Sequence, residues 1–307
     1  MYNYSRYIVN MSTAKESNSP LFIIGNPRSG TSLLRLILTS HSCILIPPEC
    51  GFIIWLYEKY NNWQMQDTNN TNRVHSFLDD LLACKKFDTW LLKRAIIETQ
   101  IHNNQPQNYA ELCKVVSYSF GLVTGKNLII WGDKNNFYIH HLNKLRSLYK
   151  DAKFLHLVRD GRDVACSYRE VMANQSNSPY APKLGTNIAD IALEWSNNVM
   201  KVDSFISTLS SESAITIRYE DLVLMPTPVI MKISDWLGVP FETDMLNFHQ
   251  QNKMKKLEPD LTIDWKKRTL QPISDATVKR YTSLLSKEEQ DSFLVIAISE
   301  LQRFLYI

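Results

Sequence analysis

No run of about 18 apolar residues occurs anywhere in the sequence, so no segment reads as a membrane-spanning helix. The first 20 residues, MYNYSRYIVNMSTAKESNSP, are polar and lack the apolar stretch of about 7–15 residues that a secretory signal requires. Cysteine is sparse and odd in number: Cys43, Cys50, Cys84, Cys113 and Cys166, with no CxxC or Cys/His ligand spacing. Neither a disulfide framework nor a metal site is expected, and reduced thiols in a cytoplasmic setting are the default. Charge of one sign is also lacking. A net charge of +3 is too mild to point to nucleic acid, although a local positive excess suits a small anionic ligand. No internal repeat or low-complexity tract is visible.

The 307 residues are 44% apolar and 21% charged, ordinary values that allow one large α/β domain or two small ones. The organising stretch is Leu21 to Leu38, LFIIGNPRSGTSLLRLIL. Leu21 to Ile24 read as a short buried strand, Gly25 to Thr31 as a tight polar loop, and Ser32 to Leu38 as a helix. Strand, glycine-bearing loop and helix start aim several backbone N–H groups at one anion. Gly25 and Gly30 permit the backbone geometry, Arg28 adds charge, and Ser29, Thr31 and Ser32 add hydroxyls. Gly25-x4-Gly30 fits the frame of the nucleotide-binding phosphate loop, yet Thr31-Ser32 follows where that loop carries lysine. That lysine reaches the outer phosphates of a triphosphate, so its absence argues for a different donor. The plainer alternative is an ordinary strand–turn–helix.

Further strands are expected at Cys43–Ile46, Leu128–Trp131, Lys153–Val158 and Ala214–Arg218. GFIIWLYEKY, 51–60, reads as a helix or an amphipathic segment; helices are expected two or three within 73–123, and over 140–149, 161–172, 188–209, 228–237 and from about 274 onward. Residues 61–72, 174–185 and the lysine-rich 253–268 read as loops. Alternation of strand and helix predicts an α/β fold: a single P-loop-type domain over 20–307, with a central mostly parallel sheet and helices on both faces. Residues 1–19 read as a flexible lead-in. Ligands of such sheets sit at the carboxyl ends of the strands, where the segments after Ile24, Ile46, Trp131 and Val158 fall.

PRSGTS after an apolar strand resembles the 5′-phosphosulfate loop of the sulfotransferases, whose donor is 3′-phosphoadenosine 5′-phosphosulfate (PAPS). LVRDGRDVACSY, with Arg159 at a strand end and Ser167 eight positions on, resembles their 3′-phosphate site. An arginine fork and a serine hydroxyl suit a phosphate, although a strand-end arginine paired with Asp163 fits the same letters. IRYEDL, Ile217 to Leu222, is also similar to a sulfotransferase segment, with Tyr219 packing and Glu220 or Asp221 paired. The resemblance runs from Leu21 to about Leu222 and is weakest in the last third.

It implies sulfuryl transfer from PAPS, without metal, leaving 3′-phosphoadenosine 5′-phosphate (PAP). Arg28, Ser29, Gly30, Thr31 and Ser32 are then donor-binding at the 5′ end, and Arg159 and Ser167 at the 3′ end. Lys266 and Lys267, in WKKR from Trp265 to Arg268, are candidates for a late loop closing over the 3′-phosphate or adenine. That stretch departs from the glycine-rich late loop of the cytosolic enzymes and reads equally as a solvated basic loop. In those enzymes a histidine two positions after a lysine is the base. Here Lys134 stands but Asn136 takes the histidine position.

Glu49 is the proposed replacement, since the tyrosylprotein sulfotransferases and their relatives, which the chain resembles, use a glutamate about twenty residues after the loop arginine, and Glu49 lies 21 after Arg28. Desolvation by Phe52 and Trp55 would raise its pKa toward that of a working base. A helix N-terminal glutamate held by the dipole is the alternative. Lys134 and Arg28 would stabilise the leaving phosphate. His140 and His141 are runner-up bases set too far into a helix, and His156 reads as a core-strand residue. Golgi sulfotransferases carry a membrane anchor with no counterpart read here, so a cytoplasmic enzyme acting on a small-molecule, lipid, glycan or peptide hydroxyl is expected. Two other classes stay open: a P-loop kinase or nucleotidase, with Asp160 as the nearest candidate for holding magnesium, and a catalytically silent PAP(S)-binding protein.

Overall fold

The computed structural model describes residues 19–126, 130–174 and 176–307. Five strands, all paired in parallel, form one sheet in the order β2-β3-β1-β4-β5. They are β1 (Leu21–Ile24), β2 (Ile44–Leu45), β3 (Ile130–Lys134), β4 (Lys153–Val158) and β5 (Ala214–Arg218). The central strand β1 has β3 on one side and β4 on the other. The loop leaving β1 therefore emerges where the chain's path over the sheet reverses, the usual seat of a ligand in such folds.

Period-two alternation sorts the core. Phe22 and Ile24 of β1 face one layer, where Phe22 stacks on Phe154 with ring centroids 5.5 Å apart. Leu21 and Ile23 face the other. Each of these side chains is at most 1% exposed, and burial of one contributes about 1.5–3 kcal/mol. On the Leu21 face lies α1 (Thr31–Thr39). The opposite layer is built from α2 (Phe52–Trp55), α3 (Tyr57–Tyr60), α4 (Thr71–Ala83), α5 (Arg94–Asn104), α6 (Tyr109–Thr124) and α7 (Leu142–Leu148). A third cluster joins α8 (Gly161–Ala173) and α9 (Ile188–Ile206) to a late helix through Trp195 and Phe293. The chain then runs through α10 (Tyr219–Leu224), α11 (Pro226–Leu237), α12 (Phe248–Lys255), α13 (Asp260–Ile263), α14 (Tyr281–Leu284) and α15 (Lys287–Arg303).

Several boundaries differ from the sequence reading. Strand β3 continues through Gly132, Asp133 and Lys134, since Leu21, Phe22 and Ile23 of β1 stand in register with those residues and pairing overrides their poor strand propensity. Leu128, expected to open that strand, lies outside the described residues, as does the lead-in up to residue 18. The polar stretch 61–72 is ordered by local caps. Gln64 and Asp67 close a box around a 3-10 turn, Met65–Asn69, and Asn70 caps α4 by accepting from the Arg73 N–H at 3.1 Å. The helix expected over 140–149 is α7, Leu142–Leu148, preceded by a 3-10 turn, Asn136–His140.

The stretch 253–268 is not a loop. It holds the end of α12, α13 and a 3-10 segment, Asp264–Leu270. Asn252 ties it together, donating to the Thr269 carbonyl at 3.1 Å and accepting from the Glu258 N–H at 2.7 Å. Beyond 274 the helices begin only at Tyr281.

Candidate active site

The loop between β1 and α1 takes its shape from two backbone constraints. Gly30 has φ 93°, and a Cβ there would fall 2.4 Å from the Tyr219 ring. Gly25 passes so close to β4 that its Cβ would meet the Leu157 carbonyl at 2.5 Å. Arg28 holds φ 67°, a conformation uncommon outside glycine and frequent at functional sites. No side chain caps the first turn of α1, so its N–H groups are open to an anion. The buried Ser29 hydroxyl has no hydrogen-bond partner. Thr31 donates to the Asn136 side-chain oxygen at 3.2 Å, and the Ser32 hydroxyl accepts from Lys134 at 3.2 Å.

The two arginines expected at the donor converge. Arg28 donates through Nε to the Ser167 hydroxyl on α8 at 3.1 Å. Arg159, at the end of β4, donates to the Arg28 carbonyl at 3.0 Å and to the Thr277 carbonyl at 2.8 Å. Its guanidinium lies 4.6 Å from the Tyr219 ring centroid, and its Nε has no partner. Burial and the neighbouring Arg159 depress the Arg28 pKa to about 10. Asp163 does not pair with Arg159. Its carboxylate accepts from the backbone N–H groups of Lys279 and Tyr281, at 2.7 and 3.0 Å. Asp160 caps α8 and holds Arg162 at 2.7 Å, which engages both of its oxygens.

Glu49 lies past β2, where the Trp90 indole anchors the preceding Pro48 carbonyl at 2.9 Å. One carboxylate oxygen accepts from Lys134 and the other from Lys86 at 2.7 Å, with Lys266 at 4.0 Å. The pKa expectation is reversed here. Burial does work to raise Glu49, but Lys134, Lys266 and Lys86 together hold it well below the usual carboxylate range. Phe52 packs on Phe87 and Trp90, and Trp55 on Phe137. Lys134 is 1% exposed, and burial draws its pKa down to about 8 despite Glu49. Beside it the Asp133 carboxyl, accepting from the Tyr138 hydroxyl at 2.6 Å, is pushed up by burial to about 7.

Arg28, Thr31, Ser32, Glu49, Arg159 and Ser167 line one cleft of about 1410 Å³, and Lys134 lies behind that lining, bonded to Glu49 and Ser32. Lys266 and Lys267 both line the cleft; the Lys266 amine is buried on Glu258 at 2.6 Å, and Lys267 is exposed. His141 packs at a tilt against Phe137, and His156 is fully buried in β4, its pKa lowered by burial to about 4. Sequence reasoning passed over Lys86, Thr277, Glu258 and the stacking role of Tyr219. Only the IRYEDL segment offered a signal, and only for Tyr219.

A family model described as "Sulfotransferase family" matches residues 20–243. "Protein-tyrosine sulfotransferase 1" of Danio rerio is 22% identical over 233 residues, 75% of this chain and 56% of that protein. "Nodulation protein NoeE" of Sinorhizobium fredii is 25% identical over 231 residues, 71% of this chain and 49% of that protein. The chain thus spans about half the length of these relatives. Among solved structures, the "Sulfotransferase Domain from the Curacin Biosynthetic Pathway" is similar in fold, with TM-score 0.59 and 20% identity over 94% of this chain and 99% of that one.

Proposed function

The chain belongs to the sulfotransferase family, and from that membership we propose that it moves the sulfuryl group of PAPS onto a hydroxyl or amine by in-line displacement. One observation carries the reading. Arg28 bonds Ser167, 139 positions away, while Arg159 bonds the Arg28 carbonyl, 131 positions away, beside the Glu49–Lys134 pair. Two anion-binding segments and a carboxylate–ammonium pair on one cleft are what transfer from a doubly phosphorylated donor requires. The unpartnered Ser29 hydroxyl and Arg159 Nε are free donors for such a ligand. In this reading the α1 N-terminus, Arg28, Ser29, Gly30, Thr31 and Ser32 hold the 5′ end, and Arg159 and Ser167 the 3′-phosphate.

Glu49 accepts the acceptor proton, which requires one of its lysines to give way. Lys134 already touches both Glu49 and Ser32, so its ammonium can turn from the base to the leaving phosphate. Positioning and charge stabilisation supply the rate, as in phosphoryl transfer. Relatives carry names as different as a protein-tyrosine enzyme and a nodulation protein. The proposed acceptor is therefore a hydroxyl class spanning small molecules, lipids, glycans and peptides, with a cytoplasmic enzyme as the working assignment.

Calorimetric titration with PAP in metal-free buffer tests the donor. Binding by the wild type that Arg159→Ala loses supports the reading. Absence of binding to the wild type overturns it, and ATP with magnesium becomes the next ligand.

A further inference from the structure

Beneath the cleft lies a carboxylate that the proposed chemistry does not use. The Glu258 side chain is 2% exposed. Oε2 accepts from Arg35 at 2.8 Å, and Oε1 from Lys266 and the Thr262 hydroxyl, each at 2.6 Å. Arg35 is a buried residue of α1, the helix that closes the donor loop. Its guanidinium also donates to the Leu257 carbonyl at 2.9 Å and to the Ile46 carbonyl at 3.1 Å. Ile46 stands three residues before Glu49. One buried ion pair thus braces the donor-loop helix, the strand end that carries the base, and the segment that carries Lys266.

Lys266 lies between two carboxylates, 2.6 Å from Glu258 and 4.0 Å from Glu49. We propose that Glu258 is a positioning residue for the transfer: by holding Lys266 to itself, it limits that ammonium's grip on Glu49 and leaves Glu49 able to accept a proton. This role presupposes Glu49 as the base. Attraction between unit charges grows as separation shrinks, so the nearer carboxylate takes the larger share of Lys266. Remove it, and the remaining buried partner is Glu49, already bonded by two lysines. A carboxylate bonded by three ammonium groups is a weaker base than one bonded by two with the third held off at 4.0 Å.

The groups facing Glu49 come from several elements. Lys134 and the carboxyl of Asp133 project from β3, and Lys86 from the turn after α4. Arg28 acts from the donor loop and Lys266 from the 3-10 segment after α13. Of these, only Lys266 is shared with Glu258 through a direct bond.

The Glu49 titration midpoint decides the matter, read by carbon-13 NMR on protein carrying labelled glutamate and assigned with Glu49→Gln. Lys266→Met should raise the midpoint by about one unit, the scale set by one opposite charge at such a distance. Glu258→Gln should lower it, and so should Glu258→Asp, which keeps a charge for Arg35 but falls a methylene short of Lys266. In the Lys266→Met background neither Glu258 change should move it further. The low-pH limb of transfer should follow the same order in pH profiles with labelled PAPS. Glu258 variants that leave the midpoint at the wild-type value, or shift it equally with and without Lys266, overturn the proposal. Glu258→Asp keeps it testable should Glu258→Gln not fold. The midpoint is read without donor, so a failure of this role and a failure of PAP to bind are told apart.

Discussion

Glu49 is caught between opposing demands. A general base must give up its salt bridges to take a proton, yet its ammonium partners keep its folded pKa well below the ordinary carboxylate value. A depressed pKa gives stability that is present above the unfolded value of about 4.3 and lost as pH falls through the folded one. The pair therefore supports the fold throughout neutral pH. Glu49→Gln should lower transfer by about 10²–10⁴-fold, the usual worth of a positioned base, while PAP affinity measured by calorimetry stays at or above wild type. Loss of PAP binding together with transfer would instead mean that Glu49 holds the donor side together. Asp133 shows the opposite sign. Its carboxyl is raised by burial to about 7, so its contribution is most favourable below the unfolded value of about 3.9 and declines as pH climbs to 7. Asp133→Asn keeps an acceptor for the Tyr138 hydroxyl and removes the buried charge. Thermal melts should place it above wild type at pH 8, by on the order of 2–4 kcal/mol, with the gap closing toward pH 4. A gap independent of pH would assign the effect to packing.

Among the elements, the turn from β1 into α1 concentrates the function, and it was also the most legible. LFII, two glycines and a helix-period run of leucines are local signals, and each formed the element its period implies. Arg28, Glu49, Lys134 and Arg159 sit at a strand end or just beyond one, where a parallel sheet collects its ligands, but it was the resemblance to the sulfotransferases that picked them out, together with Ser167 inside α8. Other features were hidden because they depend on partners far off in the chain. Lys86 meets Glu49 across 37 positions and Arg35 meets Glu258 across 223. Gly132-Asp133 became strand only because β1 supplied a register, and the lysine-rich 253–268 folded around Asn252 and Glu258. The Gly30 conformation is testable at this scale. An alanine there must hold φ near 93° and pushes into Tyr219, the ring on which Arg159 lies. Gly30→Ala should destabilise the fold by about 1–2 kcal/mol and weaken PAP at least tenfold, since both anion sites move with that ring. Unchanged PAP affinity would detach the loop from the donor.

Across the whole molecule the cleft holds more positive than negative charge. Arg28, Lys86, Arg159, Lys267, Arg268 and Arg280 line it against Glu49, Glu170 and Asp264, while the chain as a whole carries only +3. Burial and the neighbouring Arg159 disfavour the charged form of Arg28, a cost that an anion bound between the two would offset. Ligand bound only by the folded state stabilises it by mass action, about 2.7 kcal/mol at one hundred times Kd. For a chain of this size that corresponds to a rise in Tm of about 5 °C. PAP should produce this shift without metal, and added salt should shrink it at fixed PAP concentration because the contacts are charged and partly exposed. Arg159→Ala should abolish the shift and Glu49→Gln should retain it, which separates donor binding from proton transfer in a single melt. ATP with magnesium is the control that matters. A larger shift with that pair than with PAP would favour a nucleotide phosphotransferase. A shift confined to PAP leaves sulfuryl transfer, and screening of acceptor hydroxyls with labelled PAPS would then distinguish a working enzyme from a silent binder.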